Sequence, residues 1–459
     1  MLDGCAVPIE LIGSTYTQEE LISALYLENQ ILREQRRPTQ FAEAVQPPSF
    51  SEIREESHFS AALRFHTLFP VKSGTKPRHL VIANTYPNYG AEYGNGFVHR
   101  RVKAYQSLGI EVDVLAMPRR TDSYSYEYDG VQVHVGNAYD LAALLQLRNY
   151  DSVSAHFLNP IQFETLRAAR QYKKLPLTTF VHGYEASRWI RRVQTQPESH
   201  ELRAAIERTV ILQQFWSTVV EQAEEFDSFV FVSKYFHRAV EEDMDVVFPA
   251  NSTHIIHNVV DEKVFKYHSK VADDRFRILW VRSAAARWYG ADLATETLKR
   301  LLAGPYGPRI TATIIGDGQH FDLFEKEFVN DGRVRVERRF ASQEEIAELH
   351  KNHGFFLVPT RLDSQGVSRD EAMSSGLVPI TNNVAAVPEF VDDDCAILAG
   401  HENVDEMVSK TEALMANPEA FLKMSQRAAA RVRSQCGFLQ TISREVSVIA
   451  PSFSEGVRS

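Results

Sequence analysis

Two carboxylates eight positions apart, Asp363 and Glu371, lie in the run PTRLDSQGVSRDEAMSSGLVPITNN. A carboxylate accepts two hydrogen bonds at once, which suits it to the paired hydroxyls of a sugar. Between the two acids stands Gly366, and a helix is expected to begin just after it, at Val367 or Ser368. The first N–H groups of a helix have no partner inside it and attract phosphate and sugar oxygens. An anion cradle flanked by hydroxyl grips is the chemistry of a nucleotide-sugar site. A second candidate is His182, in the stretch HGYE after the apolar run LTTFV. Open α/β sheets place ligands at the C-terminal ends of their strands, and a neutral imidazole there donates or accepts a hydrogen bond. A third is the loop TYPNYGAEYGNG, whose last residues Gly94, Asn95 and Gly96 permit close approach of backbone to a ligand.

These residues need a frame that brings loops together. The run Gly354–Val358 reads as a buried parallel strand, and Leu377–Thr381 as the next one, so the acidic stretch is the loop and helix of a βαβ step. Arg78–Asn84, the glycine-rich loop, a helix over Phe97–Leu108 and a strand over Ile110–Leu115 form a second such unit. Further strands are expected at Gly130–Val135, Ser152–Phe157, Leu177–His182, Ser228–Ser233, Arg277–Val281 and Thr311–Ile315. Strand and helix alternate twice over, with a hinge near Asp261. The fold class is therefore α/β, with two Rossmann-like domains facing one another across a cleft. The expected boundaries are a helical N-terminal extension over 1–76, a first domain over 77–262, a second over 263–437, and a tail over 438–459 whose helix crosses back to the first domain.

The string acidic–x–x–Gly–x–x–x–x–Glu–Ala–Met–x–x–Gly–x–x–Pro resembles the E-x7-E signature of the family 4 retaining glycosyltransferases, with Asp363 standing where Glu is usual. The resemblance implies the GT-B architecture and transfer of a sugar from a nucleoside-diphosphate sugar with retention of configuration and no required metal or other cofactor. It also implies roles. Asp363 would contact the donor sugar, Glu371 the ribose, and His182 would lie beside the transferred sugar. Arg282 and Arg287, in RSAAARWYG, would hold the donor diphosphate, aided by the N–H groups of Val367 and Ser368 beyond Gly366. The Gly316-Asp317-Gly318 turn would lie near the nucleotide, and Gly94, Asn95 and Gly96 would line the acceptor side. Two other readings share the fold: a nucleotide-sugar epimerase, and a binding or scaffold subunit that has lost catalysis.

Composition narrows the class. Among 459 residues the formal net charge is −10, the wrong sign for a general nucleic-acid binder. Cys5, Cys395 and Cys436 are far apart, so neither a disulfide framework nor a cysteine zinc site is expected. Asp392, Asp393 and Asp394 read as an exposed turn rather than a metal site. No apolar run approaches the ~18 residues of a membrane span, and a cytoplasmic location, with surface contact to the inner face of the membrane, is expected. Near the N-terminus, Leu21, Ile22, Leu25, Leu27, Ile31 and Leu32 make an apolar helix face. It is expected either to pack on the first domain or to dock a partner or membrane. A second short helix is expected around Ser51 to Phe65. Arg188, Trp189, Arg191 and Arg192 cluster near His182, either facing an anionic acceptor or forming a solvated helix face. Surface-polysaccharide assembly is the context the resemblance implies, with a glycan or lipid-linked acceptor.

Overall fold

The computed structural model describes residues 18–35, 78–89, 95–119, 122–171, 174–191 and 199–450. The helix expected around Ser51 to Phe65, and Gly94 and Arg192, lie outside the described residues. In chain order the first half holds α1 (Gln18–Gln35), β1 (Arg78–Ala83), α2 (Gly96–Ser107), β2 (Glu111–Ala116), β3 (Tyr124–Tyr128), β4 (Val131–Val135), α3 (Ala138–Leu147), β5 (Ser152–His156), α4 (Pro160–Arg170), β6 (Leu177–Val181), α5 (Ser199–Glu221), β7 (Ser228–Phe231), α6 (Lys234–Met244) and β8 (Thr253–Ile255). The second half holds β9 (Arg277–Val281), α7 (Ala291–Ala303), β10 (Thr311–Gly316), α8 (Asp322–Phe328), β11 (Val334–Arg338), α9 (Gln343–Lys351), β12 (Phe355–Leu357), α10 (Val367–Ser374), β13 (Val378–Asn382), α11 (Val387–Phe390), β14 (Ile397–Ala399), α12 (Val404–Ala416), α13 (Pro418–Cys436) and α14 (Phe438–Ile449).

The strands form two sheets, ordered β3-β4-β2-β1-β5-β6-β7-β8 and β11-β10-β9-β12-β13-β14. Every neighbouring pair is parallel except β3 with β4. All residues of β1, β5, β6, β12 and β13 are buried, as expected of parallel strands covered by helices on both faces. The antiparallel edge strand β3, YSYEY, was not anticipated. It is short and half-exposed, so it lacks the continuous apolar run that marks its neighbours.

Strand order reverses at one point in each sheet. In the first, the chain runs outward from β1 and returns to place β5 on its other side; in the second, β9 and β12 stand in the same relation. Loops beyond such a point diverge and leave a crevice. The loop after β9 begins with Arg282 and the loop after β12 carries Asp363, so the sheet order alone sets these two residues at one crevice.

Helix starts follow from local side chains. Asn137 with Asp140, and Asn159 with Gln162, form capping boxes at α3 and α4, and Ser342 Oγ accepts from the Glu345 N–H at 3.2 Å at α9. The last helix, α14, packs on α2, β5 and β6 of the first domain. Its Glu445 is fully buried there, accepting from Arg101 Nε at 2.9 Å and from the Tyr105 hydroxyl at 2.6 Å. The apolar face of α1 also packs inward, with Ala24 and Ile31 against Ile206 and Val210 of α5 and against Trp189 and Ile190. Buried Glu28 on that face pairs with Arg188. The face proposed for docking a partner or membrane is therefore covered by the first domain, with Ile22 and Tyr26 left outside. Among the described residues no helix is long and apolar enough to cross a membrane.

Candidate active site

Beyond β9 the chain is pressed onto the turn after β10. The Ala284 N–H donates to Asp317 O at 2.7 Å, and the Arg282 N–H to Ile315 O at 3.3 Å. A Cβ on Gly316 would fall 2.2 Å from Arg282 O, and one on Gly318 would fall 2.2 Å from Ala285 N. Gly316 thus shapes the site from beneath, by admitting the Arg282 backbone. The Arg282 side chain is buried but poorly partnered. Nη1 donates to Pro359 O at 3.3 Å, Nη2 lies 4.0 Å from Asp363 Oδ2, and Nε has no partner among the described residues. Burial works against its charge, with Asp363 as the main opposing influence, and an arginine so placed remains a cation. Arg287 opens a 3-10 turn over Arg287–Tyr289. Its carbonyl accepts from Arg361 Nη1 at 2.9 Å, and Arg361 is itself held by both oxygens of Asp292, at 2.8 and 2.7 Å, and by Glu402. The Arg287 guanidinium makes no ion pair or hydrogen bond among the described residues, so its backbone is fixed while its charge stays available.

Beyond β12, Asp363 Oδ1 accepts from the Gln365 N–H at 3.1 Å, which bends the loop toward α10. Gly366 follows at φ +98°, where a Cβ would meet Arg369 Nη1 at 2.9 Å. This position needs glycine, both for its left-handed backbone and for space. The N–H groups of Val367 and Ser368 are the first of α10 and point out of the helix start. One turn on is Glu371. Its Oε1 lies 3.1 Å from Nη1 of Arg100 on α2, in the other domain, and its Oε2 accepts no hydrogen bond among the described residues. Burial, helped by Asp370 and Asp261 and opposed by Arg100, raises its pKa to about 6.

In the first domain, His182 follows β6 and lies between Phe97 and Phe157, each with its ring centre 4.7 Å away. His182 Nε2 is 2.9 Å from Nδ1 of buried His156, so the pair shares one proton along that contact and Nδ1 of His182 is left for a ligand. Burial, with the Arg101 charge nearby, holds both imidazoles well below the usual histidine range, so both are neutral at pH 7. Glu185 accepts from the N–H groups of His182 and Gly183, which makes it a shaping element of the turn. Asn95 caps α2 in the left-handed region, φ 59°, and its amide donates to Asn84 Oδ1 at 2.7 Å and Thr85 O at 3.0 Å. Gly96 has open space around its Cβ position.

One expectation is corrected. The Arg188–Arg191 cluster neither faces a ligand nor forms a solvated face. Arg188 pairs with Glu28, Arg191 with Asp243 at 2.8 Å, and Trp189 is buried. The acids Asp392, Asp393 and Asp394 are exposed at a turn, as expected, and each meets a separate cation, Arg431, Lys410 and Arg427. Among the described residues no group of three or more His, Cys, Asp or Glu is arranged to hold a metal.

Two family models match the chain. Glycosyltransferase Family 4 covers residues 95–264, and Glycosyl transferases group 1 covers residues 275–417. The chain is a family 4, group 1 glycosyltransferase. A comparison with curated proteins gives no match. Solved structures share the fold of this transferase, which is GT-B. Sucrose-phosphate synthase from Thermosynechococcus elongatus is 14% identical, with a TM-score of 0.59 over 83% of this chain and 100% of that one. HepE of Anabaena, solved with UDP and glucose, is 14% identical, with 0.57 over 82% and 99%. WaaG, a glycosyltransferase involved in lipopolysaccharide biosynthesis, is 14% identical, with 0.54 over 81% and 99%. Nothing in the sequence of this transferase singles out Arg100. It lies in an ordinary amphipathic helix, and only the pairing of the two domains brings it to Glu371.

Proposed function

We propose that this glycosyltransferase moves a sugar from a nucleoside-diphosphate sugar to a glycan or lipid-linked acceptor, with retention of configuration, in surface-polysaccharide assembly. The observation that carries the donor half is Arg282, a buried guanidinium whose Nε has no partner among the described residues. A buried cation so poorly satisfied is a costly arrangement unless an anion completes it. The neighbouring start of α10 supplies N–H groups for the same anion, and Arg287 supplies a second charge. These groups offset the growing charge of a leaving diphosphate without calling on a metal. Glu371, with one oxygen on Arg100 and the other open, takes the ribose hydroxyls; Asp363 takes the donor sugar. Arg100 is a positioning residue that keeps Glu371 ionised and aimed. His182, neutral and aromatic-walled, lies beside the reacting carbon and takes no proton. The leaving phosphate takes the acceptor proton, consistent with retention on one face. Closure of the two domains excludes water from the donor. The nearest support for the polysaccharide setting is the fold shared with WaaG.

The test is calorimetric binding of a panel of nucleoside diphosphates and their sugar conjugates, with EDTA present, to wild type and Arg282→Ala. One nucleotide is expected to bind, and the substitution to weaken it by roughly 1.5–3 kcal/mol, the range for a charged hydrogen bond. Turnover with the binding donor, read by NMR at the anomeric carbon, checks retention. An inverted product, or no binding of any nucleotide by folded protein, overturns the reading.

A further inference from the structure

A second charged feature lies in the first domain beyond β6, apart from the residues assigned to the donor. Tyr184, two residues after His182, is 45% exposed. Its hydroxyl accepts from Asn84 Nδ2 at 2.5 Å, and its ring stacks on Phe157, 5.4 Å between centres, the same Phe157 that walls His182. Phe157 is held at φ +64°, a left-handed conformation that a bulky residue adopts only under constraint. The surroundings therefore fix this aromatic floor at some conformational expense. Onto it comes Arg208 of α5. Its Nη2 donates to Tyr184 O at 3.2 Å, and its guanidinium carbon lies 5.6 Å from the centre of the Tyr184 ring.

Arg208 is half-buried and has no ion-pair partner among the described residues. Arg119, in the loop after β2 at the same end of the sheet, has none either. The Arg119 charge acts on Arg208 and on the Tyr184 hydroxyl, and after burial it is the largest influence lowering the proton affinity of Arg208. The carboxylate nearest in influence, Glu185, is already engaged by the N–H groups of His182 and Gly183. In a chain of net charge −10, two like charges, neither of them ion-paired among the described residues, form a feature that an anion would complete.

We infer that Arg208 and Arg119, set by Tyr184 and Asn84 beside His182, form an acceptor subsite for a sugar bearing an anionic group, a phosphate or a carboxylate. The inference rests on the sugar-transfer reading above, because it places the acceptor next to the residue assigned to the reacting carbon. Arg208 presents planar N–H donors matched to such an oxyanion. The same chemistry is offered by a free sugar phosphate and by a sugar joined through phosphate to a lipid.

The test uses the whole chain, saturated with whichever nucleoside diphosphate it binds. Saturation-transfer NMR titrations compare glucose, galactose and mannose with their 1-phosphates, 6-phosphates and uronic acids, and with the octyl phosphodiesters of the 1-phosphates. A charged form is expected to bind at least about tenfold tighter than its neutral parent, a difference of ~1.4 kcal/mol. Arg119→Ala combined with Arg208→Ala is expected to abolish that preference, and Arg208→Lys to keep part of it. Nucleoside diphosphate affinity should stay within about twofold in each variant, since among the described residues no contact links these side chains to the Arg282 loop. Preference for the octyl diester assigns the lipid-linked source, and equal binding assigns the free sugar. Equal binding of neutral and charged sugars overturns the inference, as does a preference that survives both substitutions or a failure of every sugar to bind. Loss of nucleotide binding in the wild type, with charged sugars still held through Arg208, would instead sink the donor reading and leave the subsite standing.

Discussion

Glu371 is a carboxylate that works against its own burial. Its pKa of about 6 lies above the ordinary 4.5, so it binds a proton as the pH falls through 6, well before an exposed glutamate would. On the proposed reading, only the ionised form would serve purely as an acceptor for the ribose hydroxyls. Nucleotide affinity is therefore expected to fall with a midpoint near pH 6, measured by calorimetry across pH 5 to 8. Arg100 is the counter-charge that keeps this value from rising further, so Arg100→Ala should move the midpoint upward and weaken binding at pH 7. A variant with weaker binding but an unmoved midpoint would reduce Arg100 to a packing role. The acids, the glycine and the helix start were legible in sequence because their spacing is local. Arg100 was not, since its partner lies in the other domain. The Arg188–Arg191 cluster was misread for the same reason: Glu28 and Asp243 stand far from it along the chain.

At the scale of elements, two joints hold the site in place. Gly366 starts α10 in a left-handed conformation against the Arg369 guanidinium. Gly366→Ala is expected to destabilise the protein by about 1–2 kcal/mol and to weaken nucleotide binding beyond what that loss explains. Denaturant unfolding and calorimetry on the same variant separate the two effects. The second joint is α14, fixed to α2 by the buried Glu445. Glu445→Ala leaves Arg101 buried without its carboxylate, and a loss of roughly 3–5 kcal/mol is expected in the unfolding free energy. Burial, with the Arg101 charge adding to it, holds the imidazoles of His156 and His182 neutral, so the same change should perturb their NMR titration. The parallel strands were legible because both of their faces are covered, which turns each into an unbroken apolar run. The strand β3 was not, because its tyrosines are shared between the fold and the surface.

At the scale of the whole molecule, other contacts join the facing domains beside the Arg100–Glu371 pair. Gln365 grips the backbone of Asn258, accepting from its N–H at 2.6 Å and donating to its carbonyl at 3.1 Å. Glu389 accepts from the N–H groups of Lys234 and Tyr235 at the start of α6. His257 packs edge-on against Phe390 at 4.8 Å. Gln365 and Asn258 form the root of the cleft, while Arg100 and Glu371 span it. Arg100→Ala combined with Glu389→Ala should enlarge the radius of gyration measured by small-angle X-ray scattering, with saturating nucleotide restoring part of the compaction. A radius unchanged in the variant would mean that closure depends on the root alone.

The chain passes between the domains twice, once through Val260 and once, after α13, through Gly437, and the two passages lie side by side. The Val260 N–H donates to Cys436 O at 2.8 Å, and the Phe438 N–H donates to Glu262 at 3.3 Å. A single tether would let one half pivot in any direction, as about a ball joint. Two tethers bound together act as paired pins on a door. They leave one rotation soft and resist twist and slide. On the proposed sugar-transfer reading, an acceptor carried on one leaf would reach a donor on the other along a single arc, and each closing stroke would deliver it to the anomeric carbon from the same side.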